Sequence, residues 1–173
     1  LAVQALETAL RLNADKNPQL AQVAYSTLGN SQYQLGDQVA AFKNFEKALA
    51  LSPTDEQVLN NYAYYLALAN QELEKALDMA KRVVKKHPKN ATYLDTLAWV
   101  LFQMKRYSEA SLYLKEALEV EKEPSGVLME HYGDVLYRLG KVEEAVGWWK
   151  KAKESPEGSD SLAQKIKDQR IHD

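Results

Sequence analysis

Residues 25–53 read YSTLGNSQYQLGDQVAAFKNFEKALALSP, and the recurrence of this stretch decides the fold. Tyr25, Leu28 and Leu35 keep helical spacing, interrupted only by the polar Gln32, and Ala41, Phe45, Ala48 and Leu49 resume the same 3.6-residue stripe. Gly36-Asp37 supply a turn between the two segments, and Pro53 stops the second one, because its ring cannot continue a helical hydrogen-bond ladder. Two helices this short are marginal alone and need each other's apolar faces.

Aligning the chain on itself extends the pattern in register. The small residue of the first helix recurs as Gly29, Ala63, Ala98 and Gly133, and an alanine of the second as Ala41, Ala76, Ala110 and Ala145, with steps of 34 or 35 residues. A space-filling column, Phe45, Ala80, Leu114 and Trp149, and another small column, Ala48, Val83, Ala117 and Ala152, keep the same step. Prolines close the units at Pro53 and Pro88 and slip slightly at Pro124 and Pro156. The small columns have a physical role, since helix axes approach to about 8 Å only where Gly or Ala sits at the crossing.

These columns resemble the tetratricopeptide repeat (TPR) family, whose unit carries a W, LG, Y, A, F, A, P pattern over about 34 residues. The resemblance implies an all-α fold, a right-handed α-α superhelix of antiparallel helical hairpins. Full repeats are expected at 22–55, 56–90, 91–125 and 126–159, preceded over 1–21 by the second helix and loop of a truncated repeat, with Ala2, Leu6 and Ala9 in its columns. A polar capping helix is expected over 160–173, carrying Leu162 and Ile166. The first helix of that leading repeat is missing, so the chain is expected to be cut from something longer. Asn70-Gln71-Glu72, one residue longer, and Lys105-Arg106 replace the Gly-Asp turn, which predicts loops of different shape. A finer likeness, around Leu59–Tyr64, Tyr93–Trp99 and Glu130–Asp134, is to bacterial TPR proteins, many of them envelope-associated. Periplasm or envelope is therefore the expected compartment, with cytoplasm the alternative.

Composition narrows the function. The 22 Lys+Arg against 24 Asp+Glu give a formal charge of −2, which supplies no general attraction for polyanions, so nucleic acid is a poor partner. The same balance disfavours the RNA-reading pentatricopeptide repeat of nearly equal period. The absence of cysteine removes disulfides, thiolate metal sites and thiol nucleophiles, and no apolar run reaches the length of a membrane span. No phosphate loop, G-x-S-x-G elbow or H-E-x-x-H helix occurs, so neither an enzyme nor a cofactor is expected.

In the resembling family the first helix of each hairpin lines a concave groove. The candidate contacts are then Asn30, Tyr33, Asn60, Asn61, Tyr64, Asp95, Thr96, Trp99, Gln103, Glu130, His131, Asp134 and Arg138. Asparagines can bond both donors and acceptors of an extended peptide, and Tyr64 and Trp99 add flat area with a polar tip. The carboxylate clamp of chaperone-binding members is absent: Asn30 and Asn61 stand at its asparagine positions, but the basic positions read Ser26, Thr92 and Thr96. Asp95, Glu130 and Asp134 predict a groove acidic toward its carboxyl end, suited to Lys or Arg. His131 with Asp95, Glu130 and Asp134 lacks a second histidine nearby and reads as groove polarity in preference to a metal site. The basic run from Lys81 to Lys89 reads as charge complementing a helix C-terminus.

The expected function is a non-catalytic scaffold binding a protein or peptide segment in the groove. The alternative is a structural spacer or self-association module, and a homo-oligomer is compatible with either. Alanine at Asn61, Tyr64 and Trp99 is expected to separate the two readings, removing partner capture without lowering the melting temperature.

Overall fold

A computed structural model of the protein describes residues 2–13 and 17–171. Helix α1 (Ala2–Asn13) leads. Four hairpins follow: α2 (Pro18–Gln34) with α3 (Gln38–Leu51), α4 (Glu56–Leu68) with α5 (Leu73–Lys86), α6 (Ala91–Gln103) with α7 (Tyr107–Val120), and α8 (Gly126–Arg138) with α9 (Val142–Glu154). Helix α10 (Leu162–Asp168) packs on α9 and closes the stack. The side chains of Ala2 and Ala9, assigned above to repeat columns, lie outside the described residues, as do residues 1, 14–16 and 172–173. No described helix is long and apolar enough to cross a membrane.

Local chemistry fixes where the first helices begin. Asn17, Asp55 and Asn90 each accept the backbone N–H three residues on, at 3.0, 2.9 and 3.1 Å, and Ser125 Oγ does the same at 3.2 Å. Each cap satisfies a donor that the first turn leaves open. Among the second helices only α3 has such a cap, from Asp37, while α5, α7 and α9 start at Glu72, Arg106 and Lys141 without one. Their position therefore depends on packing against the helix before.

All four hairpins close with the same backbone turn, and the second is one residue longer, as expected, while the Lys105-Arg106 loop does not differ in shape. Gly36, Asn70, Lys105 and Gly140 take positive φ of 86°, 51°, 61° and 80°. In each case the N–H of that residue bonds three residues back and the next N–H bonds five back, as Lys105 to Phe102 and Arg106 to Leu101, both at 2.9 Å. The turn is set by these helix-closing bonds, which Asn and Lys accept at some steric cost. The second hairpin differs only by an added left-handed residue, Glu72.

The repeat columns meet inside each hairpin. Ala41, Phe45 and Ala48, then Ala145, Trp149 and Ala152, are fully buried. A Cβ on Gly29 would lie 2.9 Å from the Phe45 ring, and one on Gly133 would lie 2.5 Å from Trp149 Cδ1. Glycine thus stands opposite the two large aromatics, whereas Ala63 and Ala98 belong to the repeats carrying Ala80 and Leu114. A continuous core runs from Phe45 to Leu162, and a smaller cluster joins Leu10 to Ala21, Ala24 and Leu28. First helices touch one another along the stack, α2 to α4, α4 to α6 and α6 to α8, and so form the inner layer.

This packing predicts opposite effects for two glycines of the last hairpin. Gly133→Ala drives a methyl into the Trp149 indole and loses about 1–3 kcal/mol. Gly147→Ala, on the exposed side of α9 with open space around it, gains up to about 1 kcal/mol from helix propensity. Urea unfolding of both variants beside the wild type measures the pair.

Candidate protein-binding groove

The inner layer carries two adjoining hollows that share Tyr64 and Val127. The first, about 360 Å³, lies between α4, α6 and the loop before α8, and includes Asn60, Asn61, Tyr64, Asp95 and Thr96. The second, about 500 Å³, includes Tyr64, Trp99, Gln103, Glu130, His131, Asp134 and Arg138. Asn30 and Tyr33 line neither hollow, because their α2 positions continue the strip beyond it. Asn30 Oδ1 accepts from Asn61 Nδ2 at 3.3 Å, and the Tyr33 ring stacks on Tyr65 at 4.2 Å.

A buried stack forms the floor of the second hollow. The Trp99 indole lies over His131 at 3.9 Å between centroids and over Phe102 at 4.7 Å, nearly coplanar with both. His131 Nδ1 is 2.8 Å from Asp95 Oδ1, bridging α8 to α6. Burial alone would favour a neutral imidazole, but the charge and hydrogen bond of Asp95 outweigh it and hold His131 above its ordinary pKa. Tyr64 is pushed up to about 12 by burial and then by Asp95, so it stays a neutral phenol.

The expected acidic end of the groove is corrected by α10. Lys165, itself buried, reaches Glu130 Oε1 and both oxygens of Asp134 at 2.8 Å. Ser159 adds its N–H and hydroxyl to Glu130 at 3.1 and 2.6 Å, and Trp149 Nε1 donates to Asp134 at 2.9 Å. One ammonium serves two carboxylates, so their titrations part. Burial raises both, but Lys165 and Ser159 outweigh it at Glu130, which is held below the usual range, while more deeply buried Asp134 stays above it. Both carboxylates are thus engaged within the fold. Among the described residues no group of three or more His, Asp or Glu is arranged to hold a metal ion.

Part of the basic run is bonded within the fold: Lys86 and His87 bond to Glu56, and Arg82 donates to the Pro53 carbonyl at 2.9 Å, tying the end of α5 to the start of α4 and the loop before it. Among the groove residues that escaped the sequence reading, which attended only to first helices, are Glu121, Glu123 and Ser125 of the loop before α8 and Glu157, Ser159, Ser161 and Lys165 beyond α9. The slipped Pro124 marked that loop, which has five residues against four in the loops before α4 and α6.

The family described as the cytochrome c-type biogenesis protein H TPR domain matches residues 2–126, and a tetratricopeptide repeat family matches 96–159. A protein described as putative cytochrome c-type biogenesis protein CcmH, from Haemophilus influenzae, is 30% identical over 112 residues, 64% of this chain and 24% of that protein. The chain thus spans about a quarter of that relative's length. Of solved structures, PilW, a type IV pilus biogenesis factor, aligns with a TM-score of 0.78 and 16% identity over 96% of this chain and 76% of its own. A thermophilic TPR protein of Thermus thermophilus, TTC0263, aligns at 0.72 and 22% over 96% and 88%. These structures establish the all-α TPR solenoid.

Two variants test the buried charges. Lys165→Met leaves Glu130 and Asp134 without a cation and costs about 3–5 kcal/mol near neutral pH. The deficit shrinks as pH falls, because the buried carboxylates of the variant, no longer held by a cation, protonate more readily than in the wild type. The raised pKa of His131 stabilises the fold fully below about pH 6.5, and this contribution is lost as pH climbs through the elevated value. His131→Gln therefore shows a larger deficit at pH ~6 than at pH ~9, read from urea midpoints; a deficit independent of pH contradicts the assignment.

Proposed function

Because the chain belongs to the cytochrome c-type biogenesis protein H TPR family, we propose that it is a non-catalytic scaffold holding a polypeptide segment of that process in its inner groove. The observation that carries this reading is the continuous strip of amide, hydroxyl and aromatic side chains over two joined hollows, from Asn60 to Arg138. Such a strip offers hydrogen bonds to an extended backbone and flat area to its side chains. His131, Glu130 and Asp134, the groups suited to acid-base work, are each buried and bonded to a charged partner, which favours holding over turnover. The bacterial relative and the envelope-type resemblance support the periplasm or envelope as the compartment.

The burial of Trp99 changes how the groove must be tested. It is 9% exposed and stacked on two rings, so Trp99→Ala would lower stability by about 3–5 kcal/mol and confuse folding with binding. Thr92 is exposed and lines the first hollow, so Thr92→Trp fills the groove from its rim. Calorimetry with overlapping peptides of an apocytochrome c is expected to find peptides bound one to one. Thr92→Trp should weaken them about tenfold or more, roughly 1.4 kcal/mol, at an unchanged melting temperature. If no peptide binds, or Thr92→Trp binds as the wild type does, the groove reading fails.

A further inference from the structure

We propose that the first hollow is a receptor for a lysine or arginine side chain of the captured segment. The inference rests on the groove reading and assigns a ligand chemistry to one part of it. Three carboxylates line this hollow, Asp95 from α6 and Glu121 and Glu123 from the loop before α8, and among the described residues no Lys, Arg or His lines it. Lys165 holds Glu130 and Asp134, and His131 holds Asp95, so Glu121 and Glu123 are the carboxylates of this hollow with no cation bonded to them among the described residues.

A second observation is independent of charge. Asn60 is 5% exposed and lines the same hollow, and its Oδ1 has no hydrogen-bond partner among the described residues. A buried acceptor left open is unfavourable, and most such atoms are satisfied by protein, water or ligand. An N–H donor entering the hollow would supply the missing bond. The carboxylates require that donor to be cationic.

Size and walls fit a long basic side chain. Ala91, Val127 and Leu128 give an apolar lining for the methylene stem, and the hollow's volume of about 360 Å³ has room for one side chain. Glu121 and Glu123 are exposed and meet the charge at the mouth. The fold already handles an ammonium in this way one repeat further on, where Lys165 lies between two carboxylates and 5.9 Å from the Trp149 ring.

The test uses single-residue probes read by NMR: Nα-acetyl-lysine methylamide, the arginine analogue and the uncharged norleucine analogue. The acetyl and methylamide groups remove the terminal charges, so any charge preference belongs to the side chain. The lysine or arginine probe is expected to shift the Asn60 side-chain amide and the backbone amides of residues 91–96 and 121–128 saturably, and norleucine to shift them far less. Glu121→Gln/Glu123→Gln removes two exposed charges without touching the core. It should weaken the cationic probes about fivefold, the sum of two rim-charge contributions.

Equal affinity for norleucine, shifts scattered over other surfaces, or binding indifferent to the double variant overturns the proposal. Peptide capture that ignores replacement of Lys or Arg by norleucine removes this inference and leaves the groove reading standing. Cationic probes binding at Asn60 without capture of any peptide would remove the groove reading and leave the receptor site.

Discussion

The close approach of two helices inside each hairpin is the constraint on which everything else depends. A helix that presents glycine or alanine at the crossing lets its partner's large side chain reach the backbone, and a larger residue there would push the axes apart. Gly29 receives the Phe45 ring and Gly133 receives the Trp149 indole, each with no room for one more carbon. Because three of the four second helices start without a side-chain cap, this contact also fixes where they lie. The first helices then touch one another along the stack and form the inner layer that carries the groove.

The carboxyl-terminal end shows how packing and electrostatics become one problem. Trp149 fills the space left by Gly133, and its N–H needs an acceptor, which Asp134 provides. That carboxylate is buried by the same packing and requires a cation, which Lys165 brings from α10 along with the apolar contact of Leu162. The capping helix is therefore both a lid on the apolar core and the counter-ion of the groove's deepest acids. Such a buried ionic cluster contributes little net stability against an apolar alternative, but it fixes the orientation of the groups it joins. In the groove its effect is to engage Glu130 and Asp134 within the fold, as His131 engages Asp95, while Glu121, Glu123 and Glu157 stay exposed along the rim.

Much of this was legible in the sequence because each structural role recurred. The columns at Gly29, Ala41, Phe45 and Ala48 are self-confirming, since an accidental match would not return three more times at one step. Proline positions located the hairpin ends, and first-helix positions located eleven of the thirteen candidate residues that line the two hollows. What failed was local inference where the repeat was broken. Lys105 looked like an altered loop, but the turn is made by backbone bonds that tolerate it, whereas the extra residue expected in the second loop is there as Glu72. Glu121 and Glu123 were overlooked because a loop has no periodicity to mark which way it faces.

The sequence by itself determined the fold class and the pairing of helices, because both depend on residue volume and helical period, and the family resemblance implied which helices face inward. Only the tertiary structure decided the charge of that face. Whether Glu130 is a free acid or a neutralised one depends on Lys165, a residue 35 positions away on a helix outside the repeat. Such a meeting has no signature in spacing, since it is created by the cap folding back over the last hairpin. Tertiary packing likewise sets Asn60 apart, as an amide whose oxygen is buried with no donor among the described residues to accept from.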